Sequence, residues 1–158
     1  MRIGTGTDVH ELVPKRDLVI GGVKIDYPLG LKGHSDADVL LHSICDALLG
    51  AAGLGDIGEH FPDTDPSYKG ISSSRLLAAC LQKIKAQDFK IVNLDCTLLA
   101  QAPKMAPHKQ AMTDQIARIL EMDTDCVNIK ATTTENLGFI GRKEGIAAQS
   151  TVLLYKDT

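Results

Sequence analysis

Two short polar motifs contain carboxylates and imidazoles at spacings that suit metal binding. Asp8 and His10 lie two residues apart in a segment that alternates as a β-strand. Both side chains would then point to one face of the strand, with Cα atoms roughly 6.5 Å apart, and could converge on one cation. Alone, the motif is weak evidence for a metal site, because exposed strand faces commonly carry such residues.

The second motif lies in a mostly apolar segment from about Asp38 to Gly53. Asp38, His42 and Asp46 are spaced four residues apart and would form one polar stripe along a helix. If the apolar helix is buried, this stripe should face a polar site, although a surface helix with a solvated face would show the same spacing. Asp46, one turn after His42, is a candidate acceptor for an imidazole N–H.

Asp8, His10 and His42 together offer two imidazoles and one carboxylate. Three protein ligands leave one coordination position open for substrate, as in catalytic zinc sites. Imidazole-rich ligation without cysteine suits Zn²⁺ best, but ligand type alone does not select the metal, so Mn²⁺ and Fe²⁺ stay open. The sequence therefore predicts a catalytic divalent-metal site.

Three further polar clusters could bind phosphate groups. They are Gly33-His34-Ser35-Asp36, Asp56-Ile57-Gly58 with residues 61–65, and residues 130–135. Hydroxyls, backbone N–H groups and a lysine can cradle phosphate oxygens, and Glu135 could hold a second, Mg²⁺-like ion against a diphosphate. Each cluster also has a structural explanation, because Ser35 could cap a helix, threonine-rich strands are common and Asp-Pro-rich loops form turns.

The elements that would position these groups indicate an α/β (α+β) protein. The predicted strands cover residues 2–13, 18–20, 23–25, 91–99, 127–132 and 146–155, with a Gly21-Gly22 hairpin turn. The predicted helices cover residues 38–53, 72–87 and 107–122, and residues 56–70 are predicted to be a loop. This order predicts a two-layer single domain over residues 1–158, with a mixed β-sheet covered by helices on one face.

Composition and charge narrow the class of protein. The 158 residues are 44% apolar and 23% charged, which is typical of a globular domain, and a net charge of −3 without a basic cluster argues against nucleic-acid binding. The four cysteines have neither zinc-ribbon spacing nor the density of a disulfide scaffold, and are expected to be reduced. No apolar run is long enough to span a membrane and no signal peptide is visible, so a cytoplasmic location is expected.

The segment from Ser35 to Ala47, SDADVLLHSICDA, resembles the signature of the 2-C-methyl-D-erythritol 2,4-cyclodiphosphate synthase family. The resemblance continues in the same order along nearly the whole chain. It includes Gly4, Gly6, Asp8-Val9-His10, Gly55-Asp56-Ile57-Gly58, His60 to Asp65, Ala102-Pro103-Lys104, Lys130-Ala131-Thr132-Thr133 and Gly138-Phe139.

The resemblance implies roles for particular residues. It implies one Zn²⁺ per subunit on Asp8, His10 and His42, and a second divalent cation, Mg²⁺ or Mn²⁺, on Glu135 with the substrate diphosphate. His34 and Thr133 would stabilise the transition state. The other implied substrate contacts are Asp8, His10, Ser35, Asp56, Ile57, Gly58, Phe61, Pro62, Asp63, Thr64 and Asp65; Ala100, Gln101, Ala102, Pro103, Lys104, Met105 and Ala106 around cytidine; and Thr132, Thr134, Glu135, Phe139 and Arg142 near the diphosphate.

The resemblance also implies an activity and an assembly. The expected reaction converts 4-diphosphocytidyl-2-C-methyl-D-erythritol 2-phosphate to the 2,4-cyclodiphosphate and CMP, in non-mevalonate isoprenoid precursor synthesis. The expected assembly is a homotrimer with each site between adjacent subunits. Thr5 and Thr7 differ from the His and Phe of some members, which puts an apolar cavity near the trimer axis in doubt.

Two alternatives stay open from the residues themselves. The first is a zinc-dependent nucleotide diphosphate hydrolase, in which the open metal position activates water. The second is a non-catalytic protein with a closed structural metal, which would need a fourth protein ligand, either His34 or His60.

Overall fold

The structure is a computed structural model that describes residues 1–62, 64–68 and 70–157. Its strands are β1 (Arg2–Pro14), β2 (Leu18–Ile20), β3 (Val23–Ile25), β4 (Leu29–Leu31), β5 (Phe89–Leu99), β6 (Val127–Thr132) and β7 (Gly145–Lys156). Its α-helices are α1 (Val39–Ala52), α2 (Ile57–His60), α3 (Ser73–Lys85), α4 (Lys109–Leu120) and α5 (Gly138–Gly141), and its 3₁₀ turns are Pro66–Tyr68, Ala106–His108 and Thr124–Cys126.

The main sheet has five strands in the order β4-β1-β7-β5-β6. Its strand pairs are antiparallel except β5–β6, which is parallel, so the predicted mixed sheet is confirmed. Helix α1 packs on β1 and β7, and α3 and α4 extend the same layer. The other face of β1 carries the exposed side chains of Ile3, Thr5, Thr7 and Val9. The predicted two-layer arrangement, with helices on one face, is therefore confirmed.

Strand β1 lies directly against α1 at two glycines, and this contact positions the candidate metal ligands. A Cβ atom at Gly4 would lie 2.0 Å from the carbonyl oxygen of Ala47, and one at Gly6 would lie 2.0 Å from that of Ser43. Only glycine permits this separation between strand and helix. Because side chains alternate along β1, Asp8, two residues after Gly6, lies on the same face of the strand and points toward α1.

We expect Gly6→Ala to lower the free energy of unfolding by about 3 kcal/mol, because its methyl group must push β1 away from α1. Urea denaturation measures the change. Gly50→Ala is the matched control, since its Cβ would meet only the Thr5 carbonyl oxygen at 3.9 Å. In a helix this control should be neutral or stabilising by up to about 1 kcal/mol. Equal stability of Gly6→Ala and wild type would contradict the close contact.

Helix α1 is the central element of the core. Eleven of its residues are buried, and Gly53 ends it in the left-handed conformation with φ 73°. The predicted helix is thus confirmed, with Asp38 as its N-cap residue. The Gly21-Gly22 hairpin is also confirmed, since Ile20 pairs with Val23.

Several short elements differ from the sequence prediction. Residues 56–70, predicted as loop, contain α2 and a 3₁₀ turn, because the Asp56 side chain accepts the Glu59 N–H and starts a helical turn. Strand β4 was not predicted, since three residues that include a glycine are too short to show a period. The described cysteines are free thiols, as expected, and no helix of the described residues is long and apolar enough to cross a membrane.

Candidate active site

Asp8, His10 and His42 converge where β1 crosses α1, as the sequence predicted. The Asp8 Oδ2 atom lies 2.8 Å from His10 Nε2 and 3.0 Å from His42 Nδ1. The two imidazole nitrogens lie 3.2 Å apart. Nitrogen and oxygen ligands about 2.0–2.1 Å from a tetrahedral Zn²⁺ are separated by about 3.3 Å, so these spacings suit one shared cation.

Hydrogen bonds hold the outer nitrogen of each imidazole. His10 Nδ1 lies 2.6 Å from the carbonyl oxygen of Lys32, which can only accept, so Nδ1–H donates to it and Nε2 faces the cluster. His42 Nε2 lies 2.9 Å from the hydroxyl of Ser73, and that hydroxyl donates to the carboxylate of Asp36. His42 Nε2–H therefore donates to Ser73, and Nδ1 faces the cluster.

The cluster thus contains two imidazole nitrogens and a carboxylate oxygen that face one another. Burial raises the pKa of Asp8, but hydrogen bonds and attraction from His10 and His42 outweigh it and hold that pKa at about 2. Burial lowers the pKa of His10, but Asp8 outweighs this effect and the pKa is raised overall. The three groups therefore favour a positive charge between them, either a proton or, with the spacings above, a divalent metal.

Asp38 does not join His42 in a polar stripe, and this part of the prediction is wrong. Its carboxylate is fully buried and accepts N–H groups of Gly21 at 2.9 Å, Gly22 at 2.7 Å and Leu41 at 3.0 Å. It is the N-cap residue of α1, a role that the sequence also allowed for Ser35. Burial raises the pKa of Asp38 to about 6, so the carboxylate is ionised at neutral pH.

We expect Asp38→Ala to lower the free energy of unfolding at pH 7 by about 3 kcal/mol, because it removes a helix cap and leaves two hairpin N–H groups buried without an acceptor. Urea denaturation tests this. The folded variant should still bind metal, since Asp38 does not contact the cluster. Loss of metal affinity with unchanged stability would restore the stripe predicted from the sequence.

Asp46 also has a different role from the one predicted. Its Oδ1 atom accepts the backbone N–H of Ile57 at 2.8 Å and so holds the start of α2 against α1. The N–H groups of the two imidazoles go to Lys32 and Ser73 instead. Asp46 therefore positions the loop over the site and does not orient an imidazole.

A cavity of about 250 Å³ opens beside the cluster. His34 and Ser35 lie at its edge, on the loop that joins β4 to α1. The remaining lining residues are Asp8, His10, Gly33, His42, Ile57, Gly58, Phe61, Tyr68, Ile71 and Leu76. The structure therefore brings the metal ligands, His34, Ser35 and part of the Asp56–Asp65 group together. Asp56 caps α2, and Pro62, Thr64 and Asp65 follow it in the chain, whereas Asp63 lies outside the described residues.

A second depression, of about 200 Å³, lies at the other edge of the sheet. It is lined by Ala100, Gln101, Pro103, Lys104, Met105, Ala106, Ala131, Thr132 and Thr133. Ala102 lies within the same loop, and the Ala102–Pro103 peptide is cis. The predicted cytidine loop thus forms a concave surface with the end of β6.

The two depressions are separate within one chain. Strands β7 and β5 lie between β1 and β6, which places Asp8 and Thr132 on strands about 14 Å apart. Among residues 1–62, 64–68 and 70–157, none lines both depressions, so His34 and Thr133 do not face the same space in a single chain. Glu135 lies beside Thr133, whose hydroxyl donates to its carboxylate at 3.3 Å.

Phe139 and Arg142 lie in neither depression. Phe139 lines a third concave surface, whose other lining residues are Val9, His10, Glu11, Glu144 and Gly145. Arg142 pairs with Glu144 through its Nε atom at 2.8 Å. Both Phe139 and Arg142 are exposed. The structure therefore places Phe139 beside His10 but outside the cavity at the metal cluster, and Arg142 next to Glu144 on that third surface.

Sequence reasoning missed that Ser73 and Asp36 hold His42, since Asp36 was considered only as part of a possible phosphate-binding cluster. Ser73 lies inside the first turn of α3 and is fully buried. A signal was present, since Ser73 falls four residues before Leu77 on the apolar stripe of α3. A hydroxyl on a buried stripe needs a polar partner, and His42 and Asp36 supply it.

An α+β fold with a convergent Asp-His-His cluster beside a cavity is consistent with an enzyme that uses a divalent metal. The chain matches the YgbB family over residues 1–155. A protein of Geobacillus sp. (strain WCH70) named 2-C-methyl-D-erythritol 2,4-cyclodiphosphate synthase is 60% identical over 155 residues, or 98% of each chain. A Clostridium perfringens (strain 13 / Type A) protein of the same name is 60% identical over 99% of this chain and 100% of its own length.

Solved structures agree with these relatives. The bifunctional IspDF from Campylobacter jejuni has a TM-score of 0.95 and 51% identity, over 99% of this chain and 42% of that protein. A 2C-methyl-D-erythritol-2,4-cyclodiphosphate synthase in a CDP-bound form has a TM-score of 0.90 and 36% identity, over 98% of this chain and 100% of that one.

The chain belongs to the YgbB family. The resemblance seen in the sequence is confirmed, and so is the predicted activity of a CMP-releasing cyclodiphosphate synthase, a lyase of isoprene biosynthesis. The relatives support this activity and not the hydrolase alternative.

Proposed function

We propose that Asp8, His10 and His42 hold one Zn²⁺ per subunit for an intramolecular phosphoryl transfer within 4-diphosphocytidyl-2-C-methyl-D-erythritol 2-phosphate. The observation that carries the proposal is the set of three converging ligand atoms, with the two imidazole rings held at their outer nitrogens by Lys32 and Ser73. Within the described residues the cluster has only these three ligands, and His60 Nε2 instead contacts the Leu54 carbonyl oxygen. This favours an open catalytic site over the closed structural metal.

The reaction requires positioning more than proton transfer. An oxygen of the substrate's 2-phosphate forms a bond to the phosphorus next to the erythritol, and the bond from that phosphorus to the oxygen of CMP breaks. The attacking phosphate is anionic near neutral pH, so no strong general base is required. A bound Zn²⁺ would supply Lewis-acid polarisation of the diphosphate.

The loop from Gly33 to Ser35 provides the groups that orient phosphate at this site. The Ser35 hydroxyl accepts the Ala37 N–H at 3.0 Å, and its own proton is then available to a phosphate oxygen at the cavity edge. His34 lies next to it at the same edge. We propose that His34 and Ser35 hold the reacting oxygens in line, together with Thr133 from the second depression.

We further propose that the active unit is a homotrimer in which each site combines the metal side of one chain with the cytidine loop of its neighbour. Two observations support this assembly. The two depressions are separate within one chain, and the face of β1 away from α1 exposes Ile3 and Val9, at 71% and 48% of their surface. A second copy of the chain could cover that face and join the two depressions.

The second depression is the proposed cytidine pocket. Most of its lining residues are small, and the exposed Lys104 is among them, which suits a flat base and a nearby phosphate. A cyclodiphosphate synthase of similar fold and one from Plasmodium falciparum have CDP-bound structures, and the P. falciparum protein is 33% identical with a TM-score of 0.88. We propose that Thr132, Thr134 and Glu135 face the diphosphate there, with Mg²⁺ or Mn²⁺ on Glu135.

Mass spectrometry of the products formed from the cytidyl phosphate substrate tests the proposed reaction. We expect CMP and the 2,4-cyclodiphosphate in equal amounts when the purified protein contains Zn²⁺ and Mg²⁺ is added. A linear phosphate in place of the cyclic product would contradict the proposal. The single domain over residues 1–158, the cytoplasmic location and the absence of nucleic-acid binding stay predictions.

A further inference from the structure

His42 is held from the side opposite to the metal cluster by a chain of hydrogen bonds that reaches a second helix. Its Nε2–H donates to the Ser73 hydroxyl at 2.9 Å, and that hydroxyl donates to an oxygen of Asp36. The backbone N–H of Ser73 also lies 3.1 and 3.2 Å from the two Asp36 oxygens. Asp36 therefore accepts hydrogen bonds from both the side chain and the backbone of Ser73.

The hydrogen bond from the Ser73 N–H to Asp36 replaces the usual side-chain N-cap of α3. Ser72 occupies the N-cap position of α3 but makes no side-chain cap hydrogen bond. The Asp36 carboxylate, from the loop before α1, instead accepts the N–H of Ser73 at the helix start, where a negative charge is favoured. The start of α3 is thus fastened to the loop that carries His34 and Ser35, and Ser73 has little freedom to turn away from His42.

We propose that Ser73 and Asp36 are positioning residues that hold the ring of His42 in the orientation for metal binding. The Ser73 hydroxyl cannot donate to His42 while it donates to Asp36, so it must accept from Nε2–H, and Nδ1 is the ring nitrogen that faces Asp8 and His10. A ligand whose ring is held in this orientation presents the correct nitrogen to the metal.

Ser35 also lies near His42 Nε2, but its hydroxyl is the poorer acceptor. The two atoms are 3.3 Å apart, and the Ser35 oxygen already accepts the Ala37 N–H. Ser73 is closer and is fully buried, whereas Ser35 is half-buried at the cavity edge. The two serines therefore have different roles in this proposal. Ser73 orients His42, and the Ser35 hydroxyl is available to substrate.

The inference rests on the proposed metal site and is tested by metal affinity. Zinc dissociation constants are measured by competition with a chromophoric chelator for wild type, Ser73→Ala, Asp36→Asn and the control Ser72→Ala. We expect Ser73→Ala to bind zinc about ten- to a hundredfold more weakly, Asp36→Asn to weaken binding in the same direction, and Ser72→Ala to match wild type. At saturating zinc, Ser73→Ala should recover most of its turnover with an unchanged KM, because Ser73 does not contact substrate.

Nitrogen NMR of the His42 ring provides a second readout. In zinc-loaded wild type, the Nε2 atom should show the protonated signal and Nδ1 the metal-bound one, and Ser73→Ala should show a mixture of ring orientations. If Ser73→Ala does not fold, two other variants test the inference. Asp36→Asn should bind zinc more weakly than wild type, and Ser73→Thr, which keeps the hydroxyl, should bind zinc like wild type. Zinc affinity of folded Ser73→Ala and Asp36→Asn within twofold of wild type would overturn the inference. Failure of wild type itself to bind zinc would instead overturn the proposed metal site.

Discussion

His42→Ala is expected to abolish stoichiometric zinc and to lower turnover about 10³-fold or more. The substitution removes one of three converging ligands and leaves Asp8 and His10 alone with the cation. The variant also leaves the Ser73 hydroxyl without its imidazole donor, so added metal should not restore the site. Atomic emission of the purified protein gives the zinc content, and the release of CMP gives the rate.

Cys80→Ala is the control for this substitution. Cys80 is fully buried on α3 and lies outside the metal cluster, so the variant should lose about 1 kcal/mol of stability through a small cavity and keep its zinc and turnover. A His42→Ala protein with full activity and one zinc per chain would remove His42 from the metal site.

The proposed shared site predicts that two inactive variants complement each other. Asp8→Ala should destroy the proposed metal side and Lys104→Ala should damage the proposed cytidine side, and these sides belong to separate depressions of one chain. When equal amounts of the two unfolded chains are refolded together, about a quarter of the sites in random trimers should pair two intact sides. We therefore expect about a quarter of the wild-type activity, from mixtures in which neither variant alone is active.

A pair of variants on the same side provides the control for complementation. Asp8→Ala mixed with His42→Ala leaves every metal side defective, and no activity should return. Light scattering of the active mixture should give the mass of three chains. A fully active protein with the mass of one chain would contradict the shared site.

Long patterns in the sequence were sufficient to predict the central elements and the convergence of the candidate metal ligands. Strand β1 and helix α1 each extend over more than ten residues, so their periods are clear and the faces of Asp8, His10 and His42 follow from them. The residues that orient these ligands were beyond such reasoning. The Lys32 carbonyl oxygen and the Ser73 hydroxyl reach the imidazoles only through tertiary packing, which a periodic pattern does not contain.

The incorrect predictions for Asp38 and Asp46 also result from tertiary packing. Both residues have the helical spacing that predicts a stripe with His42. Instead, the Asp38 carboxylate accepts N–H groups of the Gly21-Gly22 turn, and the Asp46 carboxylate accepts the N–H group of Ile57. A carboxylate that is removed from water needs hydrogen-bond donors, and the positions of these donors in the fold are not visible in the helical spacing. The separation of His34 from Thr133 was likewise hidden, because the order of strands in the sheet is not visible in a single sequence.

The origin of the attacking oxygen tests the central claim most directly. A hydrolase must place a water oxygen on phosphorus, whereas the cyclase uses an oxygen already present in the substrate's 2-phosphate. A well-oriented tethered group reaches an effective concentration of roughly 10⁵ M or more, against about 55 M for water, so the intramolecular attack should win. Turnover in ¹⁸O-labelled water, followed by mass spectrometry, should therefore give CMP and a cyclic diphosphate that both lack the label. Label in either primary product of the wild-type protein would contradict the account.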